Sequence, residues 1–156
     1  MSGPVEFLRH HPFLAEMSEE HLERLAACRA TLLTFDPGYC IFREGQDATA
    51  CYLIDAGDIA LGVFAAGNGP RTLLTLHGGD VLGWSWLFPP YRWAFDARTI
   101  TAVRAVSLDG DRLRGRAEDD HEFGYELMRR FAGVVVDRLQ TTRLQLLDLY
   151  AKQHRI

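Results

Sequence analysis

Between Ala30 and Asp109 the apolar positions fall into short runs: ATLLTF, YCIF, ACYLID, DIALGVF, RTLLTL, DVLG, AFDARTIT and AVRAVSLD. The segments between them, DPG, REGQDAT, AG, AAGNGP and HGG, are built from turn formers, with Gly38, Gly45, Gly57, Gly67 and Gly79 at the reversals. Eight short strands at this pitch predict an antiparallel jelly-roll β-barrel. On the N-terminal side the period lengthens. Ser18 is placed to cap a helix whose first turn holds Glu19 and Glu20, and Leu22, Leu25 and Ala26 give it one apolar face. The chain is therefore expected to be a single α+β domain over residues 1–156, with N-terminal helices in 1–29, the barrel in 30–109 and C-terminal helices in 110–156.

The C-terminal part is dominated by one long helical pattern. Asp119, with Glu122 three residues on, resembles a capping box, and no proline interrupts the chain from there to about Gln153. Some thirty helical residues span roughly 50 Å at 1.5 Å per residue. That length predicts a helix that leaves the barrel or kinks, with Gly133 as the hinge. Two stripes run along it. Phe123, Leu127, Phe131 and Val134 read as packing on the barrel. Met128, Ala132, Val135, Leu139, Thr142, Leu146 and Leu149 alternate spacings of four and three, a heptad seam. Beyond residue 137 the barrel is expected to be out of reach, so the seam predicts a partner helix and a parallel homodimer.

Composition narrows the function. A length of 156 residues suits one domain with a real core, and a net charge of -4 makes nucleic acid an unobvious partner. Cys28, Cys40 and Cys51 are odd in number, far apart and outside any CxxC, so neither a zinc ribbon nor a disulfide framework is signalled. The six histidines have no metal-ligand spacing and read as surface or capping residues. The N-terminus MSGPVEFLRHHPFL lacks a long apolar run, and no stretch reaches membrane-spanning length. No nucleophile–base pair, metal site or paired carboxylates stand out, so the expectation is a cytoplasmic, non-enzymatic protein without a certain cofactor.

All three tryptophans, Trp84, Trp86 and Trp93, lie within GWSWLFPPYRW, residues 83–93, beside Pro89-Pro90 and Arg92. Such stiff aromatic surface either plugs a core or lines a pocket. Arg92 between Tyr91 and Trp93 needs a partner, for which Asp96, a nucleotide phosphate and a docked protein are the alternatives.

Barrel, N-terminal helix and long terminal helix together resemble the cyclic nucleotide-binding domain family, the effector domain of catabolite-activator or Crp/Fnr-type regulators. The motifs that carry the resemblance are IFREGQDATACYLIDAGDIAL (41–61), with Gly45 and Gly57 at its turns, GGDVLG (78–83) and VVDRLQTTRLQLL (135–147). The resemblance implies that residues from Gly83 onward form the phosphate-binding cassette. Members that bind cyclic nucleotide have Gly-Glu-x-x-Leu there, the glutamate holding the ribose, followed by an arginine on the cyclic phosphate. Here the cassette reads Gly83-Trp84-Ser85-Trp86-Leu87, and the arginine position falls on Trp93, Ala94 or Phe95, with Arg98 on the outer face of the strand. Each missing charge-assisted bond is worth about 1.5–3 kcal/mol, so affinity should fall by roughly two to four orders of magnitude. Thr142 matches the dimer-helix threonine that meets adenine in the catabolite activator, with Arg143 in place of its serine; the plainer reading of Thr142 is a polar seam position. The family's regulators continue into a helix-turn-helix domain, which this sequence does not show, so DNA reading is not expected.

GWSWLFPPYRW followed by FDAR also resembles short, stand-alone bacterial domains of this family, some of them accessory subunits of soluble NAD-linked nickel-iron hydrogenases. The resemblance implies a regulatory or accessory module with a degenerate pocket. Its ligand would be another nucleotide or a partner protein such as a redox-enzyme subunit. The alternative is a genuine sensor of cyclic AMP or cyclic GMP. The residues implied for binding are Gly83, Trp84, Ser85, Trp86, Leu87, Arg92, Trp93, Thr142 and Arg143.

Overall fold

The computed structural model describes residues 3–63 and 71–153. Three short helical segments come first: α1 (Pro4–His10), a 3-10 turn (Pro12–Leu14) and α2 (Glu19–Ala26). Ser18 Oγ accepts from the His21 amide at 3.2 Å and starts α2, as its position predicts. Leu8, Leu14, Leu22 and Leu25 are all buried and tie this helical layer to the sheets.

Eight strands follow: β1 (Thr31–Phe35), β2 (Cys40–Phe42), β3 (Ala50–Ala56), β4 (Ile59–Val63), β5 (Arg71–Leu76), β6 (Val81–Leu82), β7 (Asp96–Thr99) and β8 (Val103–Asp109). Each coincides with one of the eight apolar runs. They form two four-stranded antiparallel sheets, ordered β1-β8-β3-β6 and β2-β7-β4-β5. The expectation of an eight-stranded barrel is corrected here. Among the described residues no ladder joins an edge of one sheet to an edge of the other, so the fold is a pair of sheets rather than a closed barrel. Side chains fill the space between them and beneath the helices, with Leu53, Ile54, Ile59, Ala97, Val103, Val106 and Leu108 all buried.

Gly38, Gly45, Gly57 and Gly79 all take positive φ, and Gly67 lies outside the described residues. At Gly57 (φ 101°) a β-carbon would collide with the Ala102 carbonyl and the Val103 side chain, so no other residue fits the β3–β4 turn as it stands.

After β8, Asp109 caps α3 (Gly110–Asp119), accepting from the Arg112 amide at 3.0 Å. The sequence pattern does not single out α3, because Gly110 and Leu113 are its only buried residues and the rest are small or charged. The long helix α4 runs from His121 to Gln153. Its cap is Asp120, which accepts from the Phe123 amide at 3.3 Å, and not Asp119. Asp119 is the last residue of α3, and the extended backbone of Asp120 breaks the helix one position later than the capping-box pattern implies. α4 is unbroken through Gly133, the expected hinge.

Phe123, Leu127 and Phe131 are buried against the body and Val134 is half-buried, as their stripe predicts. The body is not out of reach beyond residue 137, however. Arg138 Nη2 donates to the Val81 carbonyl, and Gln145 Nε2 donates to the Leu73 carbonyl at 2.9 Å. Long polar side chains reach back from α4 to β6 and β5, where a count of apolar positions sees nothing to hold the helix. Along the second stripe Met128, Leu139, Leu146 and Leu149 are exposed, and elsewhere on α4 so are Val136, Leu144, Leu147 and Tyr150.

Among the described residues two histidines are buried, His11 as a cap and His21 in a contact between helices. His11 accepts from the Phe13 amide on Nδ1 and donates from Nε2 to the Ile54 carbonyl, so it is a neutral cap whose pKa burial pushes down. His21 bonds Glu126 at 2.9 Å, joining α2 to α4. His154 lies outside the described residues. Among the described residues no group of three or more His, Cys, Asp or Glu side chains is placed to hold a metal ion, and no helix is long and apolar enough to cross a membrane.

Candidate functional site

The cassette begins where β6 ends. Gly83 has φ 98°, and a β-carbon there would lie 2.7 Å from the Trp93 ring. Glycine is required for both reasons: the backbone is left-handed, and the indole occupies the side-chain position. Ser85–Leu87 then make a single 3-10 turn, and a cis peptide joins Pro89 to Pro90. The returning arm is stitched to the segment before β3. Trp93 N donates to Gln46 O at 2.9 Å, Gly45 N to Trp93 O at 2.9 Å, and Ala48 N to Tyr91 O at 2.8 Å. These bonds fix which way each side chain of the loop points.

The three tryptophans have different environments. Trp86 is 1% exposed; its Nε1 donates to Gly83 O at 2.9 Å, and its ring stands edge-on to Phe131 of α4 at 5.2 Å. Trp93 is 5% exposed and lies flat on Phe42, with centroids 3.7 Å apart and planes 5° apart. Trp84 is half-buried and carries the Arg138 guanidinium over its ring at 4.9 Å from the centroid. Burial pushes the Arg138 pKa down, opposed by Asp80, the Cys51 thiol and Asp137. Arg114 stacks over Tyr91 at 4.1 Å and donates to the Trp86 carbonyl, which pins the underside of the turn.

Between these rings a cavity of about 40 Å³ remains, lined by Phe42, Leu82, Gly83, Trp84 and Trp93 with Arg138 at its edge. Drug- and cofactor-sized sites run to about 300–1,000 Å³, so this space holds roughly one water. Ser85, Ala94 and Phe95 also line it. The remaining residues singled out from sequence are elsewhere. Leu87 lies on the far side of the turn, beside Tyr91 and Arg114. Arg92 is exposed; its Nη1 donates to Gly45 O at 2.9 Å and lies 3.7 Å from Asp47, so within the chain it faces the segment before β3. Thr142 and Arg143 are exposed on α4, and the Thr142 hydroxyl donates to its own helix at Arg138 O, 2.9 Å away. Phe42, Arg114 and Arg138 were missed. Arg138 had one available signal: it lies seven residues after Phe131 and so shares its helix face.

Gly83→Ala tests this packing. Left-handed backbone costs a non-glycine residue about 1–2 kcal/mol, and overpacking adds about 1–3 kcal/mol. Chemical denaturation should show a loss of about 2–5 kcal/mol. A loss below about 1 kcal/mol would mean that Trp93 yields readily and the cavity is soft.

Comparison with known proteins agrees with this architecture. The cyclic nucleotide-binding domain family matches residues 32–120. A CRP-like cAMP-activated global transcriptional regulator of Mycobacterium tuberculosis is 37% identical over 116 residues, covering 74% of this chain and 50% of that protein. The chain thus spans about half the length of the curated relatives it matches. A solved structure from Geobacter metallireducens, described as cyclic nucleotide-binding, is 31% identical, covers 89% of this chain and 99% of its own, and superposes with a TM-score of 0.78. A cyclic nucleotide-binding domain from Methylobacillus flagellatus, at 13% identity, covers 95% of this chain and 86% of its own with a TM-score of 0.81, a likeness of fold alone. The chain belongs to the cyclic nucleotide-binding domain family.

Proposed function

We propose that this chain is a non-enzymatic regulatory module whose ligand space is filled by its own aromatic side chains, so that it acts without a cyclic nucleotide. The observation that carries this reading is Trp93, stacked on Phe42 and pressed against Gly83 with about 40 Å³ left open. The electrostatics support it. The cassette glutamate is replaced by Trp84, and among the described residues the one cation lining the cavity, Arg138, is engaged with Trp84 and the Val81 carbonyl. A nucleotide phosphate would have to displace both contacts. With its ligand space filled, the module works through its surfaces. The exposed seam of α4 is the surface for a second copy, and a subunit of a redox enzyme is the partner implied by the loop's resemblance.

The competing reading, a cyclic-nucleotide sensor, draws on the 37% identity to a cAMP-activated regulator. It requires Trp84 and Trp93 to swing out. Thermal melts with cyclic AMP and cyclic GMP separate the two. A ligand at 100 times its Kd stabilises a fold by about 2.7 kcal/mol, which for this size raises Tm by roughly 5–10 °C. The expected result at millimolar nucleotide is a shift below about 1 °C. A saturable rise of several degrees at micromolar nucleotide would establish the sensor instead.

A further inference from the structure

We infer that Arg138 and Trp84 form an internal latch that docks α4 onto the cassette and so fixes the helix position without any ligand; this rests on the filled-cassette reading. The geometry is continuous along one face of α4. Phe131, Val134 and Arg138 are spaced i, i+3, i+7 and lie on one side of the helix. Phe131 meets the edge of Trp86, Val134 packs against the core, and Arg138 lies over Trp84. The two cassette tryptophans, two residues apart, thus engage two helix positions that are two turns apart. Arg138 also donates to the Val81 carbonyl of β6, so the same side chain bonds the strand that leads into the cassette.

The chemistry suits a latch. A guanidinium carried on a three-carbon stem can be half-buried while its plane covers an indole and its fork donates to a carbonyl. Lysine can supply the charge but not the flat face. Gln145, seven residues on, repeats the contact at β5 through the Leu73 carbonyl. With Arg138 and Gln145 facing the sheets, Leu139 and Leu146, each the next residue along the helix, are held outward. The exposed seam is therefore presented constitutively, and the sequence of the cassette performs the positioning step.

The test is hydrogen exchange on the full chain in the absence of nucleotide. Arg138→Met, Arg138→Lys and Trp84→Leu are compared with the parent protein. All four are measured in a Leu139→Lys, Leu146→Lys background so that self-association cannot mask release of the helix. In Arg138→Met and Trp84→Leu the α4 amides beyond Val134 should exchange about tenfold faster, equivalent to ~1.4 kcal/mol. Amides of β3 and β8 should be unchanged, and Arg138→Lys should fall between. Unchanged α4 protection in both variants overturns the latch. An effect in Arg138→Met alone overturns the role of Trp84 and leaves only the Val81 bond. If Trp84→Leu loosens β3 and β8 as well, the ordering of the Met and Lys variants at Arg138 decides, since an ordinary packing site would not distinguish lysine from methionine in this direction. Because no nucleotide is present, a negative result here is separable from a positive result in the ligand melts.

Discussion

Trp86→Ala is expected to lower the unfolding free energy by about 3–5 kcal/mol, the usual range for emptying a buried aromatic site. The argument is one of burial and partners. Trp86 is 1% exposed, its indole N–H donates to Gly83 O, and its ring packs edge-on against Phe131. Truncation removes the ring contacts, opens a cavity beneath α3, where Gly110 approaches its Cβ, and leaves a cassette carbonyl without its donor. Urea denaturation should show a large fall in midpoint with little change in slope. A loss under about 1 kcal/mol would place Trp86 among surface-tolerant positions and contradict the packing described here.

The parent protein is expected to be a parallel homodimer, and Leu139→Lys combined with Leu146→Lys is expected to give a monomer. The two leucines are 67% and 62% exposed, yet they sit at seam spacing on a 33-residue helix alongside exposed Leu149 and Val136. So much contiguous apolar surface on one helix face is unusual unless it is covered. Burying a leucine side chain contributes about 1.5–3 kcal/mol, so the four leucines of a dimer would contribute on the order of 6–12 kcal/mol. Replacing them with facing cations removes that term and adds repulsion, enough to weaken association by more than about 10⁴-fold. Light scattering at tens of micromolar reports the mass directly. A parent protein already monomeric at that concentration would rule the dimer out. The lysines lie away from Phe123, Leu127 and Phe131, so the melting temperature of the monomeric variant should remain close to that of the body of the fold.

These two sites differ in how far the sequence anticipates them. The seam is legible because a helix repeats every 3.6 residues, so the spacing of Leu139, Leu146 and Leu149 alone puts them on one face. The cassette is legible only as a cluster. Three tryptophans in eleven residues announce a special loop, but their spacing cannot say that Trp86 enters the core, that Trp93 stacks on Phe42, or that Trp84 lies beneath Arg138. Arg92 shows the same limit from the other side. It stands beside two aromatics in the chain, yet its guanidinium turns to Gly45 and Asp47 on the opposing segment.

By itself, the sequence determined the eight strands, the Ser18-capped helix, the long terminal helix with its two stripes, and the clustering of all three tryptophans in one loop. All of these follow from local periodicity, turn chemistry or residue identity. Only the tertiary structure decided that the strands divide into two sheets, that α4 is capped by Asp120 and stays attached through Arg138 and Gln145, and that about 40 Å³ remains where a ligand would sit. The physical reason is that periodicity states which face of an element is buried but not which element covers it. Phe42, Gly83, Trp93 and Arg138 are brought together by strand pairing and helix docking across nearly a hundred residues of chain, and their fit depends on contacts of a few ångströms that no local pattern encodes.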